Sequence, residues 1–163
     1  LSSETLFDTF AERCKAIDAD PEAAFRPDHD TNDRFTNGTV TRDKAVLEYT
    51  EYLNLPGDFV YASLFYYRLQ FPGGTSSNCV LSVTLKAPGT PFALPEMADL
   101  VNARAEKFLG GPVTQLGGDV IQDGQLGRIL VWTAGGSPHD PSLSLTNWAS
   151  EIFLSAQLPQ ATN

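Results

Sequence analysis

The sequence predicts an α+β domain, a curved antiparallel sheet packed by helices on one side. Three observations carry the prediction. Apolar residues recur at helical spacing near the start (Leu6, Phe7, Phe10, Cys14, Ile17), an alternating run fills Gly57 to Phe71, and Gly- and Pro-rich turns divide the rest into further alternating runs. The 163 residues suit one domain, 1–163, with no linker and no internal repeat. Hydrophobic residues make up 42% and charged residues 19%, enough apolar material for one core.

The elements follow in order. The first helix is expected from about Ser3 to Ile17. Asp20-Pro21-Glu22 then restarts the chain as a short helix, with proline in its first turn and acids at the positive end of the dipole, and Pro27 stops it. The polar run DHDTND leads to a small hairpin, Arg34 to Val40, around Asn37-Gly38, a dipeptide suited to positive φ. Thr41 is read as the cap of a third helix whose Val46, Tyr49, Thr50 and Leu53 share a face.

In the long run, Phe59, Tyr61, Ser63, Phe65, Tyr67, Leu69 and Phe71 form one almost wholly aromatic face, which reads as core more readily than as the lining of a ligand cavity. Pro72-Gly73-Gly74 turns the chain into a second strand, alternating at Cys79, Leu81, Val83 and Leu85, which should pair antiparallel with the first. Pro95 to Leu109 reads as a helix stopped by Gly110-Gly111-Pro112. Val113 to Thr133 reads as a hairpin around Asp123-Gly124, and Leu145, Trp148, Ile152 and Ala156 as the apolar face of a last helix.

Net charge is −9, and the 11 Lys and Arg never cluster, so no basic face is available for nucleic acid or an anionic membrane. No apolar run has the length of a membrane span. Cys14 and Cys79 match no zinc or redox spacing; both read as small buried hydrophobes, with one disulfide between them open but not required. The chain begins LSSETL, which implies trimming and leaves a removed targeting segment open, while a cytoplasmic setting is favoured. Asn37-Gly38-Thr39 is formally a glycosylation acceptor.

The stretches DADPEAAF and DRFTNGTVTRDKAVLEY, followed later by DGQLGRILVWTAGG and SAQLP, resemble the NTF2-like superfamily, including SnoaL-type cyclases and ketosteroid-isomerase-like enzymes. The resemblance covers mainly residues 6–71 and 119–158. It implies a cone-shaped fold around a deep pocket and a cofactor-independent isomerase, cyclase or dehydratase acting on a hydrophobic small molecule. Other members of that superfamily serve as binding or dimerisation modules. The acid that isomerase-like members carry before the small hairpin matches Asp33, with Asp30 and His29 beside it. The Pro95–Leu109 helix departs from the pattern, since most members have only a hairpin there.

A carboxylate base beside an imidazole is what general acid–base chemistry needs, so Asp33, Asp30 and His29 are the candidate catalytic residues. The alternative is a solvated loop whose Asp and Asn side chains make local turns. A calcium loop would place Asp33 where glycine is required and Thr39 where glutamate is required, so no metal site is assigned. His139-Asp140 lies in a proline-flanked loop, and no nucleophile turn accompanies it. Tyr61, Phe65, Tyr67 and Trp132 are the candidate substrate-binding residues, since buried tyrosines and tryptophans need partners that a pocket or an interface supplies. No cofactor is implied, and a homodimer is allowed.

A second class fits the same residues. A small acidic α+β domain in this order is similar in outline to dimeric secretion chaperones, which hold a partner polypeptide segment in extended form. That reading accommodates the Pro95–Leu109 helix and requires no catalytic group, but those chaperones lack extra helices at residues 21–53.

Overall fold

Ser2 caps the first helix, α1 (Ser3–Ala19), its hydroxyl accepting the Thr5 backbone N–H at 3.1 Å in this computed structural model. The structure describes residues 2–20, 34–36, 46–55, 59–86, 96–122, 124–137, 140–148 and 150–159. The face expected from the periodicity, Leu6, Phe7, Phe10, Cys14 and Ile17, is the buried face of α1. The short helix after Asp20, the DHDTND run, the Asn37-Gly38 turn and the Asn37 acceptor lie outside the described residues.

Among the described residues the sheet has eight strands: β1 (Arg34–Thr36), β2 (Val46–Leu53), β3 (Phe59–Phe71), β4 (Gly74–Leu85), β5 (Thr114–Gln122), β6 (Gln125–Thr133), β7 (Ser142–Trp148) and β8 (Glu151–Gln157). Their spatial order is β1-β2-β3-β4-β8-β7-β6-β5, and every neighbouring pair is antiparallel. The second helix, α2 (Met97–Leu109), connects the two halves. Among the described elements each half is therefore a helix followed by a four-stranded meander, and the halves meet at their last strands, β4 and β8.

Both helices lie on one side, as the strand register shows. Tyr49, Tyr66, Cys79, Ala156, Leu143 and Trp132 are direct cross-strand partners in turn, so all six project from the same face. Tyr66 reaches Asp18 and Cys79 reaches Cys14 on α1, while Trp132 reaches Asn102 on α2. This face, with Phe7, Phe10 and Phe108 packed ring against ring between the helices, is the core. The α+β class and the placement of helices on one side stand as expected.

Three expectations are corrected. Val46 to Leu53 is a strand, not a helix: Tyr49, Glu51 and Leu53 are buried in alternation, and the acid at the centre disguised the period of two. Ser142 to Gln157 is a pair of strands, not a helix. Leu143, Leu145 and Asn147 alternate inward, as do Ile152, Leu154 and Ala156, so Trp148 points away from Leu145. The third correction concerns β3. Its inward residues are Ala62, Leu64 and Tyr66, so the stripe of Tyr61, Phe65 and Tyr67 lies on the face away from the helices. By contrast, the β3–β4 pair, the β5–β6 hairpin and α2 are where the sequence puts them. Gly110 ends α2 at φ +82°, a left-handed conformation in which its N–H donates to Glu106 O at 2.8 Å.

Polar contacts fix α1 to the sheet. A disulfide joins Cys14 to Cys79, settling what the cysteine spacing had left open. Arg13 grips the buried Glu51 through Nε at 2.7 Å and Nη2 at 2.8 Å, and the Tyr49 hydroxyl donates to Glu51 Oε2 at 2.7 Å. One turn on, Asp18 Oδ1 accepts from the Tyr66 hydroxyl at 2.7 Å and from Arg68 Nη2 at 2.9 Å. Arg104 of α2 bonds Glu4 and Asp8, joining the helices to each other.

Burial, supported by the bond to Asp18, pushes the Tyr66 phenol from 10.0 up to about 12. The folded state thus holds this proton more tightly than the unfolded chain does. Stability from this group is fully present below pH 10 and is lost as pH rises towards 12. A Tyr66→Phe variant should show a shallower alkaline fall in stability than the wild type. Thermal melts of both proteins across that range check this, and parallel curves would count against it.

Candidate functional site

The two ends of the sheet differ. At one end, among the described strands, stands β1, of three residues. At the other end β5 has nine residues, TQLGGDVIQ, and its one neighbour among the described strands is β6. An edge strand presents a row of unpaired N–H and C=O groups, which proteins commonly blunt with lysine, proline or a bulge. β5 has neither residue, and its register with β6 runs from Thr114 to Gln122 without a shift.

β5 is also open to solvent. Thr114, Gln115, Leu116, Gly117, Asp119 and Ile121 are exposed, Leu116 at 58% and Ile121 at 76%. Its centre is pared down to backbone by two glycines. Gly117 adopts φ +101°, and a Cβ there would sit 2.1 Å from the Ile129 carbonyl oxygen, so the close approach to β6 demands glycine. A Cβ at Gly118 would meet nothing within 4 Å, which leaves a notch between Leu116 and Val120 on the outer face.

On the helix side the edge borders a cleft of about 380 Å³. α2 packs on β6 and β7, and the cleft opens beside it over β5. Asp99 and Asn102 of α2 form one wall, Gln115 and Asp119 of β5 the other, and Arg128 and Leu130 of β6 the floor. Arg128 Nε donates to Asp119 Oδ1 at 3.0 Å. Trp132 Nε1 donates to Asn102 Oδ1 at 3.0 Å, which orients that carboxamide with its amide N–H₂ left for the cleft. Two carboxylates against one guanidinium give the cleft a net negative charge.

The residues singled out in the sequence are placed otherwise. Asp33, Asp30 and His29 lie outside the described residues, as does His139. Asp140 is described, and its carboxylate closes a turn by accepting the Ser137 N–H at 2.7 Å. Tyr61, Phe65 and Tyr67 share the face of β3 away from the helices, with Tyr61 against Tyr52 and Phe65 against Tyr67. Trp132 is fully buried on the opposite face, with β4, β8 and β7 between its strand and β3. The structure therefore does not bring it together with the tyrosines. Among the described residues no three His, Cys, Asp or Glu side chains gather into a metal-binding group.

The β5 edge was missed in the sequence. Its signal was an alternating run with no lysine or proline, but only strand order reveals such a run as an edge. No protein family, curated protein or solved structure matches this chain.

Proposed function

We propose that this protein is a binding domain that holds an extended segment of a partner polypeptide against β5, and that it works in an oxidising compartment. The observation that carries the reading is the exposed nine-residue edge, unguarded by lysine or proline and flanked by the cleft under α2. Strand addition supplies affinity through main-chain hydrogen bonds and specificity through sites for alternate side chains, and both are provided here. A second copy is a poorer occupant than another polypeptide, because each copy brings a net charge of −9. The compartment follows from the Cys14–Cys79 bridge, since cytosolic thiols are kept reduced. It replaces the cytoplasmic expectation drawn from the sequence.

The test is selection of short peptides from a displayed random library on the immobilised protein, followed by hydrogen exchange. Selected peptides should slow exchange of the amides from Thr114 to Gln122. N-methylation of alternate peptide amides should abolish binding in one register and spare it in the other. Failure to select any binder, or protection confined to other strands, would sink the proposal. A concentration-dependent dimer that protects the same amides would instead make the occupant a second copy.

A further inference from the structure

An antiparallel strand laid against β5 must send alternate side chains to opposite faces of the sheet. Those on the helix face enter the cleft beside Gln115 and Asp119 and below Asp99. Those on the outer face lie over the Gly118 notch, between the exposed Leu116 and Val120, with Ile129 next to it on β6. The two faces therefore make different demands.

Charge decides the helix face. Asp119 is already engaged by Arg128, so Asp99 supplies the cleft's excess negative charge. The chain's overall charge of −9 adds a long-range attraction for cations and a repulsion for anions. A carboxylate entering the cleft would be opposed by both. Lysine and arginine also carry long aliphatic stems, which suit a site that has Leu130 in its floor and polar groups at its rim. Shape decides the outer face, where the notch left by Gly118 admits a branched aliphatic side chain.

Resting on the strand-docking reading above, we infer that the preferred segment carries a lysine or arginine facing α2 and a valine, isoleucine or leucine facing Leu116. Because the faces alternate, the basic and the aliphatic residue stand an odd number of positions apart. The geometry thus specifies a class of partner: a basic, β-prone segment, not an acidic or helical one.

Three synthetic peptides of alternating threonine and valine, differing only in a central lysine, methionine or glutamate on the threonine face, test this by fluorescence anisotropy. The lysine peptide should bind roughly five- to tenfold more tightly than the methionine peptide, with glutamate weakest. That advantage should shrink as salt is raised. Asp99→Asn should remove most of the lysine preference, and Asp99→Lys should reverse it in favour of glutamate. Asp99 is exposed on α2, so these variants leave the core intact. Equal binding of all three peptides with β5 protected would overturn the charge assignment and leave strand docking standing. Absence of binding by all three, with β5 amides unprotected, would overturn both.

Discussion

Replacing Cys14 and Cys79 together by alanine is expected to lower stability by roughly 4 kcal/mol. The size follows from the 65-residue separation of the two cysteines. Joining them removes from the unfolded chain every conformation in which that loop is open, and this loss of entropy grows with the logarithm of loop length. The bridge also sits where its loss is felt. It lies in the C-terminal half of α1, between the Arg13–Glu51 and Asp18–Tyr66 contacts, and ties the helix to β4 near the centre of the sheet. Without it, α1 is held by packing and by its polar contacts to the sheet and to α2. For a chain of this size the melting temperature should fall by roughly 8–15 °C. Urea unfolding of the double variant, and of the wild type with and without reductant, measures the effect. A loss below about 1 kcal/mol in both comparisons would show that the bridge adds little to a helix already held by packing.

That bridge also marks the limit of what the sequence made legible. Each cysteine was read correctly as buried, because local periodicity fixes which face of an element turns inward. Pairing depends on which elements meet, and Cys14 on α1 and Cys79 on β4 are brought together only by the tertiary arrangement. The same division runs through the molecule. α1, α2, the β3–β4 pair and the β5–β6 hairpin were legible, since each carries a clean period and a turn or cap at its end. β2 was not, because Glu51 occupies an inward position where alternation calls for an apolar residue. Nor were β7 and β8. Asn147 is buried within their alternation, no glycine or proline marks the turn between them, and Leu145, Trp148, Ile152 and Ala156 happen to fall at helical spacing.

The aromatic stripe of β3 misled for a related reason. Large apolar side chains on one face of a strand normally mark its core side. In β3 the inward face instead carries Ala62, Leu64, Tyr66 and Arg68, chosen to fit against α1 and to bond Asp18. Polar residues satisfied by a distant partner are thus where local patterns and the tertiary structure part company. The β5 edge lies further out of reach still. Nothing within TQLGGDVIQ distinguishes an edge strand from a central one; the order of all eight strands decides it.

Glu51 is the residue whose removal should reveal most about that principle. Its side chain is 1% exposed, yet both carboxylate oxygens are engaged: Oε1 by Arg13 Nε, Oε2 by Arg13 Nη2 and the Tyr49 hydroxyl. Donating to the Glu51 carboxylate in turn pushes the Arg13 guanidinium up from its ordinary value, so the arginine stays charged throughout the accessible pH range. Glu51→Ala removes the acceptor shared by the partly buried Arg13 guanidinium and the Tyr49 hydroxyl, and should cost about 3 kcal/mol or more. Arg13→Met should cost a similar amount, because it takes the charge partner away from a buried carboxylate. The informative variant removes the whole group. With Arg13→Met, Glu51→Leu and Tyr49→Phe combined, the polar groups of all three side chains are removed together, and the apolar replacements fill nearly the same space. Most of the lost stability should then return, since a buried ion pair is costly to break but adds little over well-packed hydrophobic residues. Urea unfolding of the two single variants and the triple variant gives the comparison. If the triple variant proves as unstable as either single one, the cluster contributes net stability of its own. If it recovers, the cluster adds little net stability over an apolar core, and the acid that hid this strand in the sequence is one whose place well-packed apolar residues could take.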